Sequence, residues 1–252
     1  MSHQRTVYLI DDLAADRRIL GAQLTALGAE AWPFASGSEF LGMVDHLPPA
    51  CVLLNIEAGS MDGLTVLAEL VRREIDWPVI AVSAGDDLRV AIGAMKLGAI
   101  DFLRKPLEPE PLAAALAFAG SALEKLIEAS EARLQAQGKA AKLTPREKDI
   151  ALALLSGEGN KSTAHQLGIS VRTVEMHRSN IMAKLGARSL AEAAVLLMQA
   201  GLAPSHGEDP SYRKRCALES FLEAQRARQS AFRIGATGGA RGSDAYVRRA
   251  AS

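Results

Sequence analysis

Five short apolar runs, each followed by a helix-like pattern, constrain the first 120 residues more than any other feature. They are "TVYLI" (6–10), "AWPF" (31–34), "CVLLN" (51–55), "PVIAVS" (78–83) and "DFLRKP" (101–106). Most are continuously apolar rather than alternating, as strands buried on both faces of a parallel sheet must be. Right-handed β–helix–β crossovers then predict an α/β fold, a doubly wound sheet of about five parallel strands. The intervening helices carry their own punctuation. Residues 13–27 read as a helix ended by Gly28, and Ser36 with Glu39 has the spacing of a capping box. The "AWPF" run is short and reads as an edge strand.

In a sheet of this kind the ligand site lies beyond the carboxyl ends of the strands. Those ends carry Asp11 and Asp12 after the first strand, Asn55 at the third, Ser83 at the fourth and Lys105 at the fifth. Taken singly, each has an ordinary reading: an aspartate caps a helix, a lysine sits in solvent. Placed together at successive strand ends, they make one polar mouth of two carboxylates, an amide, a hydroxyl and an ammonium.

The stretch 141–202 is built differently. "LTPREKDIALALLSG" offers Thr144 as N-cap, Pro145 in the first turn and Glu147 completing a capping box. Its apolar stripe is read as Ile150, Leu152, Leu154 and Leu155. A two-turn helix is expected from an Asn160 cap to Gly168, and a longer one from a Ser170 cap to Gly186. A last helix starts at Ser189, with Glu192 at capping-box spacing. Two short helices and a tight turn before a longer helix form a helix-turn-helix pattern, at about residues 160–179. On the longer helix Val174, Ile181 and Leu185 share one sector and are assigned to the core. Arg172, Glu175, Met176, Ser179 and Ala183 fall opposite, on a face suited to a DNA major groove. His177 lies at the edge of the core sector and is read as a half-buried structural histidine.

The front of the chain resembles the receiver domain of two-component response regulators, most specifically in "AMKLGAIDFLRKP" (94–106) and "SMDG" (60–63). The resemblance implies that Asp11 and Asp12 would hold Mg²⁺, that Ser83 and Lys105 would meet phosphate oxygens, and that Phe102 would shift on activation. Two departures stand out. Asn55 occupies the place of the phosphoacceptor aspartate, and Ala58-Gly59 replaces the usual Met-Pro. An amide oxygen is neutral and poorly nucleophilic, so no acyl phosphate is expected there. Loss of one carboxylate also leaves at most a weak Mg²⁺ site and no other cofactor. The rear, above all "NKSTAHQLGISVRTVEMHRSNIMAKLG" (160–186), is similar to the LuxR-type helix-turn-helix, and the whole order resembles the FixJ/NarL response regulators. That likeness implies a dimer on two-fold-related promoter DNA, with the last helix in the dimer contact. It places Glu175, Met176 and Ser179 at base edges, and Lys161, Arg172, Thr173 and Lys184 at phosphates.

The expected organisation is a receiver over 1–122, a linker helix over 123–140 with a flexible joint at 138–142, a DNA-binding domain over 141–202 and a basic extension over 203–252. The charge supports it. Residues 1–140 hold 12 lysines and arginines against 19 acids, residues 141–202 hold 8 against 5, and residues 203–252 hold 9 against 5. An acidic front with a basic rear fits a control module joined to a nucleic-acid binder. The linker is either a partly exposed helix or one that pairs two chains, since its heptads are too few to decide. In the extension, residues 212–233 read as a basic amphipathic helix; it packs on a domain, contacts DNA phosphates or binds a partner, with phosphate contact favoured. The last residues read as low-complexity and disordered. Hydrophobic residues make up 48% of the chain and aromatics 4%, so aliphatic, alanine-rich cores are expected. Neither a secretory leader nor a membrane span is found, and Cys51 and Cys216 fit no disulfide framework or metal set, which points to a reducing cytoplasm. No nucleophile–base pair points to an enzyme. The reading is therefore a promoter-binding transcription regulator not controlled by aspartyl phosphorylation. Two rivals remain: a phospho-regulated regulator carried in an acceptor-dead form by an Asp-to-Asn change, and an adaptor that sequesters a sensor kinase or another regulator.

Overall fold

The computed structural model describes residues 5–57 and 62–202, which divide into two compact units between Leu123 and Glu124. The first unit contains five strands, β1 (Arg5–Ile10), β2 (Ala29–Phe34), β3 (Cys51–Asn55), β4 (Val79–Ser83) and β5 (Asp101–Arg104). All pair in parallel, in the order β2-β1-β3-β4-β5. β3 and β4 are buried at every position, as continuous apolar runs require. Helices α1 (Ala14–Ala26), α2 (Gly37–Met43), α3 (Gly63–Arg72) and α4 (Leu88–Lys96) supply the crossovers, and α5 (Pro109–Ala140) follows β5. Before α2 the forward arm of the capping box forms, Ser36 Oγ accepting from Glu39 N–H, while the Glu39 carboxylate reaches back past the cap to accept from Ala35 N–H.

The two faces of the sheet are packed with different chemistry. One buries Val7, Leu9, Leu20, Leu24, Leu53, Ile80 and Leu112, the aliphatic core that composition predicts. The other holds an aromatic cluster of Tyr8, Trp32, Phe34, Phe40 and Trp77, with ring centroids 5.3–6.4 Å apart. Five of the chain's 11 aromatic residues, both tryptophans among them, meet in this one place, where tilted and edge-on contacts add to simple burial. The Tyr8 hydroxyl, carried into this core, donates to the Pro48 carbonyl at 2.8 Å.

α5 runs unbroken for 32 residues, so the linker expected over 123–140 is a continuation of the last receiver helix. The expected joint at Gly138 is corrected accordingly: Gly138 lies inside the helix, which persists to Ala140. Leu112, Ala115, Leu116 and Ala119 bury the first turns against the sheet, whereas Phe118, Ile127 and Leu134 are exposed.

The second unit contains α6 (Pro145–Leu155), α7 (Asn160–Leu167), α8 (Val171–Leu185) and α9 (Leu190–Gln199). Its core is Leu143, Ile150, Ala151, Ala164, Val174, Ile181, Leu185, Ala193 and Leu197. Gly168 and Gly186 end α7 and α8 in the left-handed region, at φ 64° and 66°, where glycine escapes the Cβ penalty. Two local expectations need correction. Gly159, not Asn160, caps α7, and Asn160 is its first residue. In α6 the small Ala151 turns inward while Leu152 is 38% exposed. The expected extension helix, Cys216 and the Ala58-Gly59 loop lie outside the described residues.

Candidate functional site

The mouth of the sheet is assembled from strand ends. Asp11 follows β1 and is fully buried. Its Oδ1 accepts from Leu13 N–H at 2.9 Å, and its Oδ2 lies 2.7 Å from Lys105 Nζ. A second acid joins them: Asp16, on the first turn of α1, accepts from the same ammonium at 2.6 Å. Burial works against the charge on Lys105, but hydrogen bonds to Asp11 and Asp16 outweigh it and raise the pKa. Asp12, next in sequence, is exposed. Lys105 is placed by β5, its N–H bonded to the Ser83 carbonyl at 2.8 Å, and the Lys105–Pro106 peptide is cis.

Asn55 closes β3 and is 5% exposed. Because Ile10 stands opposite Leu54, the register carries Asp11 to the level of Asn55 on the neighbouring strand. The amide oxygen accepts from Glu57 N–H at a long 3.4 Å. Behind it the chain turns tightly into α3. A Cβ on Gly63 would lie 2.6 Å from the Ile56 Cα and 2.8 Å from the Asn55 carbonyl, so only glycine fits there. Asp62 caps α3 through Leu64 N–H at 3.0 Å.

Ser83 ends β4, is nearly inaccessible, and points its hydroxyl at Glu57 Oε1, 2.8 Å away. The same carboxylate accepts from Ala84 N–H at 2.9 Å and from Gly85 N–H at 2.8 Å. Burial raises the pKa of this glutamate less than the Ala84, Ser83 and Gly85 hydrogen bonds and the Lys105 charge lower it, so it is held ionised. Phe102, on β5, is half-buried against the aromatic side of the core. The structure thus joins Lys105 to Asp11, and links Asn55 and Ser83 through Glu57. Asp16 and Glu57 were missed by sequence reasoning. Glu57 lies two residues past Asn55 and Asp16 five past Asp11, and only the folded turns bring them back to the mouth.

In the second unit α8 presents two faces. Val174, Ile181 and Leu185 are buried, and Arg172, Glu175, Met176, Ser179 and Ala183 are exposed, as their angular spacing requires. Ser170 caps α8 through Thr173 N–H at 3.1 Å, and its hydroxyl is 2.8 Å from that of Thr173. Lys161 is exposed on α7. Arg178 donates to Asn160 Oδ1 at 2.5 Å, and Asn160 Nδ2 reaches Glu175 Oε1 at 3.5 Å, tying the start of α7 to α8. Lys184 stands apart from the other candidates. Its ammonium is 2.6 Å from the buried carboxylate of Glu147, whose other partners are the Thr144 N–H and hydroxyl. The Lys184 hydrogen bond and the Thr144 N–H bring the Glu147 pKa down to about 2. His177 is half-buried, and its Nδ1 is buried without a hydrogen-bond partner.

The two units match two known protein families. Residues 7–117 match the response regulator receiver domain, and residues 141–197 match the LuxR family of bacterial regulatory proteins. The transcriptional regulatory protein FixJ of Bradyrhizobium diazoefficiens is 33% identical over 202 residues, covering 80% of this chain and 98% of its own. The tetrathionate response regulatory protein TtrR of Salmonella typhimurium is 33% identical over 187 residues, 74% of this chain and 89% of its own. Among solved structures, the response regulator StyR superposes with a TM-score of 0.64 at 32% identity, covering 78% of this chain and 99% of that one. The chain belongs to the FixJ/NarL-type two-component response regulators, transcription regulators that join a receiver to a LuxR-type DNA-binding domain.

Proposed function

We propose that this regulator binds promoter DNA through α8 and that its receiver works without aspartyl phosphorylation. The observation that carries the second part is Asn55: at the end of β3, where an acyl phosphate would have to form, stands a neutral amide. The donor set also departs from what Mg²⁺ needs. Both Asp11 oxygens are engaged, one by an N–H and one by the Lys105 ammonium, Asp12 is exposed, and Asn55 brings no charge. Mg²⁺ demands near-octahedral oxygen ligation and gives up its water reluctantly. These residues do not fit a tight Mg²⁺ centre, and any binding through Asp11 and Asp12 is weak.

For the DNA-binding part, the exposed α8 face offers Glu175, Met176 and Ser179 to base edges, with Arg172 and Lys161 beside phosphates. Thr173 is largely spent on the cap of α8, and Lys184 on Glu147, so both serve the domain more than the DNA. A two-fold-related promoter site calls for a dimer. α9 supports one, because Leu190, Val195 and Met198 form an exposed apolar face. Contact with a sensor kinase or another signalling protein then supplies the input, in the cytoplasm where the promoter lies.

The test is incubation with Mg²⁺ and acetyl phosphate, followed by intact-mass measurement. The mass is expected to stay unchanged. A hydroxylamine-sensitive phosphoryl adduct on the unmodified chain overturns the reading.

A further inference from the structure

The polar groups at the end of β4 form a ready-made anion cradle. One hydroxyl, from Ser83, and two consecutive N–H groups, from Ala84 and Gly85, converge on a single point. That point is already filled by the Glu57 carboxylate, which takes all three donors on its two oxygens at 2.8–2.9 Å. Gly85 makes the fit possible. A Cβ at that position would lie 2.6 Å from Glu57 Oε1, and no backbone atom stands within the same reach. The space next to residue 85 is thus reserved for this one side chain.

We infer that Glu57 is a resident anion: its carboxylate occupies the Ser83–Ala84–Gly85 cradle permanently, excludes free oxyanions from it, and fastens the turn after β3 to the turn after β4. The inference rests on the reading of a receiver without an acceptor, and it names what fills the oxyanion cradle beside Asn55. Charge-assisted hydrogen bonds to consecutive N–H groups are strong for their size, and two N–H groups with a hydroxyl match a carboxylate's lone pairs. The carboxylate is attached to the chain two residues after Asn55, so it competes with a dissolved anion at a high effective concentration. A tethered carboxylate therefore wins against phosphate at ordinary levels. The two turns are joined at all times, with no phosphodonor, and the receiver's state does not follow the phosphate supply.

The experiment uses the isotope-labelled full chain and follows the Ala84 and Gly85 amide signals, with inorganic phosphate as probe. In the parent protein both amides are expected to exchange slowly and to stay unmoved through a phosphate titration. In Glu57→Ala the Ala84 amide is expected to exchange about tenfold faster or more, as a donor that loses an ionised acceptor does. The Gly85 amide should change less, because it also donates to Ser83 Oγ at 2.9 Å, and both are expected to shift as phosphate is added. Gly85→Ala gives an independent route, because its methyl group pushes the carboxylate out while leaving Glu57 in the chain. It should free the Ala84 amide in the parent background and change nothing further in Glu57→Ala. Equal exchange in parent and Glu57→Ala overturns the inference, as does a phosphate shift of the same size in both. An acetyl phosphate adduct on the parent chain would instead sink the phosphorylation-independent reading, and it is scored separately by mass.

Discussion

Lys105 Nζ lies 2.7 Å from Asp11 Oδ2, and that carboxylate is fully buried. Among the described residues the pair is the most shielded charge contact at the receiver mouth, with Asp16 as a more exposed third member. Removing the ammonium leaves Asp11 with the Leu13 N–H as its remaining side-chain partner described at the site. Lys105→Met is expected to destabilise the receiver by about 3 kcal/mol, the scale of an uncompensated buried charge. Asp11→Asn together with Lys105→Met should recover most of that loss, because no charge is then stranded. Denaturant titrations of the three proteins check both statements, and a Lys105→Met variant as stable as the parent contradicts them.

Asn55→Asp adds a third carboxylate level with Asp11. Without metal, the stability of the receiver should fall by about 1 kcal/mol, the scale of one pKa unit of like-charge repulsion. Addition of Mg²⁺ should reverse the loss in the variant and leave the parent unmoved. Thermal melts with and without Mg²⁺ decide. A parent protein stabilised by Mg²⁺ as strongly as the variant rules out the weak-site assignment.

Glu147 sets a pH dependence for the DNA-binding domain. Its folded pKa, about 2, lies below that of an ordinary glutamate. Its contribution is therefore present in full above the ordinary glutamate pKa of about 4.3 and is lost as pH falls from there towards about 2. Allowing for the one-third exposure of Lys184, about 2 kcal/mol is at stake. Glu147→Gln should flatten the loss of stability of this domain between about pH 5 and about pH 2.5. Equal pH slopes in parent and variant would remove Glu147 from the account.

Substitutions on and around α8 should separate three roles. Arg172→Ala weakens specific and non-specific DNA binding alike, and makes the salt slope shallower by about one unit, because a phosphate contact carries no sequence information. Glu175→Ala relaxes preference at one base position, costing roughly 1–3 kcal/mol of discrimination there. Lys184→Met strands the buried Glu147, so it should lower the stability of the domain and leave the salt slope of the remaining folded protein near the parent's. Binding series at several salt concentrations, with stability measured in parallel, distinguish these patterns. Salt slopes that drop equally for Arg172→Ala and Lys184→Met would return Lys184 to the phosphate contacts.

Much of this architecture is legible in the chain because its signals are local. Strand runs, the Ser36–Glu39 and Thr144–Glu147 boxes, and the split faces of α8 depend on neighbours three or four residues away. What the sequence hides are partnerships made by the fold. Lys184 looks like a free basic residue until Glu147, 37 residues earlier, is packed beneath it. Glu57 reads as a loop acid until β4 is laid beside β3. Smaller misreadings have the same origin. Leu152 is more apolar than Ala151, but a helix turned by its neighbours puts the smaller side chain inside. Glycine and asparagine both cap helices well, so the sequence alone does not choose between Gly159 and Asn160.

The aromatic cluster beside the sheet makes the protein optically lopsided. Both tryptophans of the chain, Trp32 and Trp77, belong to it, and residues 124–202 contain no tryptophan, tyrosine or phenylalanine. Tryptophan emission therefore watches the receiver alone, whereas far-ultraviolet dichroism sees the helices of both domains. A shift in that emission when promoter fragments bind would be a message received across the chain, read without any attached dye.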